Sequence, residues 1–386
     1  MPAVYLDHNA TTPLAAPVLE AMLPFLARSG NPSSLHTPGR AAHAALFYAR
    51  EQVARAVDAE PAEIIFVSGG SEANNLFLKG TAACCAQASV LATSAIEHAS
   101  VKNPARQLVR CGWQHLELPV DTAGRVRASA VEAALAEGAT LWSVLRAHNE
   151  TGVLQDVAGL AEQVRARAPA ARFHVDAAQA FGKIPLSFRA LNRAGVHALT
   201  LSAHKMGGPL GAAALVVDKR LELEPLIAGG GQERGLRSGT ENIAAIAGFG
   251  AAAEWAARTL SERAQRLAAL REKLESGLRA QGATIFGEDV ERLPNTVFFA
   301  FPNLDGETLV GQMDRAGFAL GSGSACSSAR PEISPTLTAM RVSEALARGA
   351  ARVSLGNDNT ADEIDAFLLA LARVLTQFKT LTALNV

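Results

Sequence analysis

Cysteine is scarce: four residues in a chain of 386, with no CxxC pair. That excludes a disulfide-stapled scaffold and paired-thiolate zinc sites. No apolar run approaches the roughly 20 residues a membrane span needs. The N-terminus, Met1 to Asp7, lacks the basic start and apolar core of a secretory signal. Lysine and arginine total 36 against 37 acidic residues, a formal net charge of −1. This balance gives no footprint for nucleic acid or an anionic membrane surface. Lysine itself is scarce beside arginine. The dinucleotide fingerprint G-x-G-x-x-G is missing, as are internal repeats and low-complexity tracts. The expectation is a soluble, cytoplasmic protein.

What is present is apolar residue in quantity, 49% of the chain, enough for a large core and more than one domain. Short apolar runs at 64–67, 90–92, 116–118, 141–145, 173–175, 199–201 and 213–217 read as strands. Amphipathic stretches read as helices at 15–28, 37–57, 71–86, 99–110, 129–136 and 157–168. Strands alternating with helices of about a dozen residues mean βαβ units and a mostly parallel sheet. Beyond Gly229-Gly230-Gly231 the pattern changes. A long helix over 241–278, possibly broken, precedes strands at 284–286, 296–301 and 351–355. Helices at 307–315, 336–347 and 361–378 complete a smaller α+β unit. The expected division is a large α/β domain over 15–260. A small domain would comprise 1–14 and 261–386, with a mobile loop at 321–335.

Open α/β sheets bind ligands outside the carboxyl ends of their strands. Four polar clusters follow expected strands directly: Ser68–Glu72, His148–Glu150, Asp176–Gln179 and Ser202–Gly208. The last holds Lys205 on a small-residue turn. A lysine there is costly to bury unless it is paired or used covalently, so we read it as the Schiff-base lysine of pyridoxal phosphate. The ordinary alternative is a surface lysine. Gly70 and Ser71 open a helix, whose N-terminus can receive a phosphate or merely be capped. Asp176 ends a buried strand and suits the ring nitrogen of such a cofactor, although a structural carboxylate or a metal ligand with His174 would also fit. His98 follows a fifth strand, where it can stack on a ring and shuttle protons or simply cap a helix.

Cys326 lies among small residues, Gly321 to Pro331, with Arg330 nearby. It suits an exposed, mobile nucleophile. Cys84, Cys85 and Cys111 read as core or near-core thiols. Arg352, in an expected buried strand, needs a carboxylate, from the substrate or from the protein.

Taken in order, Tyr5–Pro13, Gly30–Ser33, Ser68–Asn75, Glu97-His98, Asn149–Gly152, His174–Gln179, Ser202–Gly207, Arg234–Asn242, Gly321–Ser328 and Val353–Gly356 resemble the NifS/IscS-type cysteine desulfurases. These are class V, fold-type I pyridoxal-phosphate enzymes. The resemblance implies that Lys205 carries the cofactor and removes the substrate Cα proton. His98 would stack on the ring, Asp176 would pair with its nitrogen and Gln179 would contact its phenolic oxygen. Gly70, Ser71, Ser202 and His204 would hold the phosphate, and Thr240 would reach the phosphate of the other subunit of a homodimer. Asn149 and Arg352 would fix the substrate carboxylate, with Asn31 nearby. L-cysteine would become L-alanine through a ketimine, leaving a persulfide on Cys326. That sulfur would pass to an acceptor or iron–sulfur scaffold protein.

His148 stands where the family often has a first asparagine, and Ser71 where many members have threonine. Alternatives within the same fold are an aminotransferase or lyase acting on selenocysteine or cysteine sulfinate, or a non-catalytic scaffold. Cys326 separates the first group from a desulfurase, and Lys205 with its cofactor separates the second.

Overall fold

The computed structural model of the chain describes residues 4–322 and 333–384. It begins with strand β1 (Val4–Tyr5), helix α1 (Ala16–Leu26) and helix α2 (Thr37–Ala56). Pro17 and Pro38 lie in the first turns of these two helices, where a missing N–H costs nothing. Alternation follows: β2 (Ile64–Val67), α3 (Gly70–Ala83), β3 (Val90–Ser94), α4 (Ala99–Arg110), β4 (Gln114–Leu118), α5 (Ala128–Ala136), β5 (Ala139–Leu145), α6 (Val157–Arg167) and β6 (Arg172–Asp176). Next come α7 (Phe188–Ala194), β7 (Ala198–Ser202) and β8 (Ala213–Val217).

These strands form one seven-stranded sheet in the order β2-β8-β7-β6-β5-β3-β4. Strands β2, β7 and β8 are short, mostly apolar and buried on both faces, as a helix-covered sheet requires. All seven strands run parallel except β8, which pairs antiparallel with both β7 and β2. The ten residues between β7 and β8 hold no crossover helix, so the chain turns straight back. The carboxyl ends of β2, β3, β5, β6 and β7 therefore share one edge.

The 38-residue helix α8 (Ile243–Ala280) is continuous. After it come β9 (Thr284–Ile285), β10 (Thr296–Ala300), α9 (Gly306–Arg315), β11 (Phe318–Ala319), β12 (Gly321–Ser322), α10 (Pro335–Ala339), α11 (Glu344–Ala347), β13 (Ala350–Ser354) and α12 (Ala361–Leu384). A second, antiparallel sheet has the order β12-β13-β10-β9, and β1 pairs with β11 alongside. Among the described residues four hydrophobic clusters result, and the two largest separate the two sheets' units. Trp142, Phe173, Phe181 and Phe249 anchor the first, and Phe299, Phe318, Phe367 and Leu274 the second. Helix α8 feeds both, giving Ala245 to Ala256 to the first and Leu267 to Leu278 to the second. Leu6, just after β1, packs into the second core.

Three local expectations are corrected. The single helix expected over 336–347 is two short ones, interrupted by Arg341 at φ +63°. Helix α7 escapes the sequence pattern because it is only seven residues long. Cys84, Cys85 and Cys111 are exposed, not core. Cys84 and Cys111 are C-cap residues of α3 and α4, where the chain turns out to solvent.

Candidate active site

Strand β7 ends at Ser202, and a single 3-10 turn, Ala203–Lys205, places the lysine over the sheet edge. After Met206 come two positions that must be glycine. Gly207 sits at φ +92°, and a Cβ on Gly208 would come within 2.8 Å of the carbonyl and Cβ of Ala203. Lys205 Nζ donates to the backbone carbonyls of Asn9 at 2.5 Å and Ala10 at 2.9 Å.

Asp176 ends β6. Its Oδ1 accepts from the Ala178 amide at 2.9 Å and its Oδ2 from Asn74 Nδ2 at 2.8 Å. Asn74 Nδ2 also reaches Ser100 Oγ at 2.8 Å, and that hydroxyl lies 2.8 Å from His98 Nδ1. A hydrogen-bonded line thus joins the carboxylate to the imidazole. Desolvation lowers the His98 pKa, while the Asp176 charge pulls it back up and Lys205 lowers it further. His98 also caps α4 by accepting from the Ser100 amide, so it keeps the expected helix-start position beside its place at the cavity.

Helix α3 begins at Gly70, so the amides of its first turn point at the same space. Ser202 Oγ is buried there with no hydrogen-bond partner. His204 Nδ1 lies 3.2 Å from Thr11 Oγ1. Burial and the neighbouring lysines lower the His204 pKa to about 4, which leaves it neutral at pH 7.

On the far wall Arg352, in β13, is 3% exposed. Its Nη1 donates to the Asn149 carbonyl at 3.0 Å and its Nη2 to Asp7 Oδ1 at 2.5 Å, while Nε has no partner. The carboxylate that sequence reasoning sought for Arg352 is therefore supplied, in this state, by Asp7. Lys205, Asp176, Asn74, His98, Ser202, His204 and Arg352 line one cavity of about 320 Å³, together with Gln179, Asn149 and Glu150.

A family model described as "Aminotransferase class-V" matches residues 4–367. A cysteine desulfurase of Cereibacter sphaeroides is 44% identical over 99% of this chain and 98% of its own length. Cysteine desulfurase IscS of Dictyoglomus turgidum is 39% identical over 98% of this chain and 96% of its own. A solved structure titled a NifS-like protein superposes with a TM-score of 0.91 at 37% identity, covering 97% and 99% of the two chains. The chain belongs to the class-V aminotransferase family, among its cysteine desulfurases.

Enzymes of this family depend on pyridoxal 5'-phosphate, and the residues present fit that group. The orphaned Ser202 Oγ and the open first turn of α3 supply donors for a phosphate. A buried carboxylate at Asp176 and an amine at Lys205 stand across the same cavity. A desulfurase metal centre at Asp176 and His174 is disfavoured by their partners. The His174 ring nitrogens are taken by Ser143 and Thr200 hydroxyls, each at 2.9 Å, and the ring stacks on Phe77. No group of three metal-ligating side chains occurs among the described residues.

Most expected desulfurase residues meet here, but Asn31 and Thr240 do not. Asn31 is exposed, its Oδ1 accepting from the Ser33 amide, and it does not line the cavity. Thr240 is exposed and also lies apart from it. Cys326 lies outside the described residues. Sequence reasoning missed Asp7, Asn9, Asn74 and Lys183 as parts of the site. Asp7, Asn9 and Asn74 stand inside stretches that carried the family resemblance, yet none follows a strand at the ligand edge. Only the tertiary fold brings Asp7 and Asn9 there.

Proposed function

We propose that this protein is a cysteine desulfurase: with pyridoxal 5'-phosphate it converts L-cysteine to L-alanine and takes the sulfur onto Cys326. The observation that carries the reading is the placement of Lys205, Asp176, His98 and Arg352 around one cavity in a member of that family. The bound cofactor supplies an electron sink that makes the substrate Cα proton acidic and the sulfur transferable. Ser71, Ser202, His204 and the Gly70 turn hold its phosphate. Asp176 would face its ring nitrogen, Gln179 its phenolic oxygen, and His98 its ring. Lys205 carries it and moves the proton at Cα. Arg352 and Asn149 hold the substrate carboxylate.

Cys326 then attacks the substrate sulfur. A sulfur–sulfur bond forms and the carbon–sulfur bond breaks. The electron pair stays with the carbon, which takes a proton and leaves as L-alanine. The flanks of the Cys326 segment support this role. Gly321 pairs with Arg352 across β12 and β13. On the other side Ser334 Oγ donates to Glu150 Oε2 at 2.6 Å. Both ends of the segment are thereby tied to the cavity wall.

We read the chain as a large domain, 15–260, and a small one, 1–14 and 261–386, and as a homodimer in the cytoplasm. Thr240, remote from its own cavity, suits a phosphate contact in the second subunit. Leu19, Leu23 and Leu26 on α1 and Phe47 and Tyr48 on α2 are exposed and suit a subunit interface. The persulfide would be handed to a sulfur acceptor or iron–sulfur scaffold protein. The test is incubation of the cofactor-loaded protein with L-cysteine and a thiol reductant. The reading requires L-alanine and sulfide in equal amounts. A loaded, yellow protein that released neither would refute it.

A further inference from the structure

The loop between β8 and α8 holds two consecutive non-glycine residues in the left-handed region, Glu233 at φ +47° and Arg234 at φ +59°. Gly235 follows at φ +81°. No other two such non-glycine residues adjoin among the described residues. Backbone of this kind persists only where its surroundings impose it, and it gathers at functional sites.

Here the surroundings are explicit. Glu233 is buried, and its carboxylate accepts from Arg50 Nη1 at 2.8 Å and Arg50 Nη2 at 2.6 Å. Its Oε2 also accepts from the Phe66 amide at 2.8 Å. Phe66 lies in β2, which is an edge strand of the large sheet. Arg50 Nη1 and Arg234 Nη2 donate to the Ile64 carbonyl of the same strand, at 2.7 and 3.3 Å. The loop thus satisfies the edge of β2 in place of a further strand. A second tie follows. Arg237 Nε donates to Glu72 Oε1 at 2.9 Å, and Glu72 stands in the first turn of α3. The Gly239 amide then donates to Gln232 Oε1 at 3.0 Å, closing the loop on itself.

Thr240 comes next and is exposed. Arg50, which clasps the loop, belongs to α2, the helix that exposes Phe47 and Tyr48. The helix read above as part of the subunit interface is therefore the one that fixes the strained turn before Thr240.

We propose that Arg50 and Glu233 are positioning residues that act on the second subunit: their buried pair sets the loop so that Thr240 meets that subunit's cofactor phosphate. The inference rests on the reading of a homodimer with Thr240 at its neighbour's phosphate, and it names what holds that threonine in place. An ion pair broken on one side leaves a buried charge unmatched, and the left-handed turn loses the contacts that impose it.

Mixed dimers of the full chain test this. One subunit carries Lys205→Ala, so only the other forms a Schiff base and a visible band with added pyridoxal 5'-phosphate. With Glu233→Gln in the Lys205→Ala subunit, the band-forming site receives the altered loop. Its cofactor affinity should fall about tenfold, in keeping with one hydrogen bond to a charged group. With Glu233→Gln in the band-forming subunit, that site receives an intact loop and should keep the parental affinity. Arg50→Lys, which keeps the charge but loses the paired geometry, gives the same comparison if Glu233→Gln does not fold. Equal affinities in the two arrangements, or a fall only when the change sits in the band-forming subunit, would overturn the proposal. A monomeric parent, or a Thr240→Ala homodimer with parental cofactor affinity, would instead overturn the reading of Thr240.

Discussion

Arg352 and Asp7, 345 positions apart in sequence, form an ion pair at 2.5 Å on the wall of the cavity. Their contact joins β13 to the segment following β1, and it leaves Arg352 Nε buried and unpartnered. A guanidinium holds a carboxylate with two parallel bonds, whereas an ammonium offers one point charge. Arg352→Lys should therefore raise the KM for L-cysteine at least about tenfold, the cost of one charge-assisted hydrogen bond. Cofactor affinity should stay unchanged. Steady-state kinetics beside a cofactor titration separates the two.

Ser202→Ala should do the opposite. Ser202 Oγ is buried and makes no hydrogen bond within the protein, so its loss should leave the melting temperature of the cofactor-free chain unchanged or slightly higher. Cofactor affinity should fall by about tenfold, in keeping with one hydrogen bond to a charged group. Equilibrium dialysis against pyridoxal 5'-phosphate, with melting curves alongside, checks both halves.

Gly208→Ala tests how the chain delivers Lys205. A Cβ there meets the backbone and side chain of Ala203 at 2.8 Å, and neither can withdraw without moving the turn. The expected cost is about 1–3 kcal/mol of stability, the range for overpacking a rigid site. The rate of cofactor capture should fall with it. Denaturant unfolding read at a constant slope measures the first effect.

Stability should fall on acidification in a defined window. Burial first of all lowers the pKa values of His8, His174 and His204 to about 4 and of His148 to about 3. These rings are neutral in the folded chain and take up protons on unfolding. Their contribution is complete above about pH 6.5 and is lost as pH falls toward 4 and then 3. Glu97, raised to about 8 chiefly by burial, works in the other direction. Its contribution is complete below its ordinary pKa and is lost as pH rises through 8. Melting temperatures across pH 4 to 7 at fixed salt should show the acid limb. The limb should be shallower in His148→Asn, where one of the four rings is gone.

Much of this was legible in the chain. The strand runs were legible because strands covered on both faces are continuous apolar words such as Ile64–Val67 and Ala213–Val217. The polar residues just after them were legible as a site because topology puts strand ends on one edge. The antiparallel direction of β8 was not, since it depends on how tightly Gly207 and Gly208 fold the chain back. Nor was Asn9, whose hydrogen bonds to Lys183, Gln179 and Thr296 cross between the two cores. Nothing in the local sequence singles out Lys183. Its burial on neutral oxygens is a tertiary fact that no local pattern carries.

The central claim is that Cys326 takes the substrate sulfur. Mass spectrometry of the cofactor-loaded protein after brief incubation with L-cysteine, without reductant, tests it most directly. The account predicts a gain of one sulfur on the peptide containing Cys326, reversed by added thiol. It also predicts that Cys326→Ala keeps the visible band but gives neither that mass nor L-alanine. An unmodified Cys326 peptide, or a Cys326→Ala protein that still turned over L-cysteine at the parent rate, would contradict it.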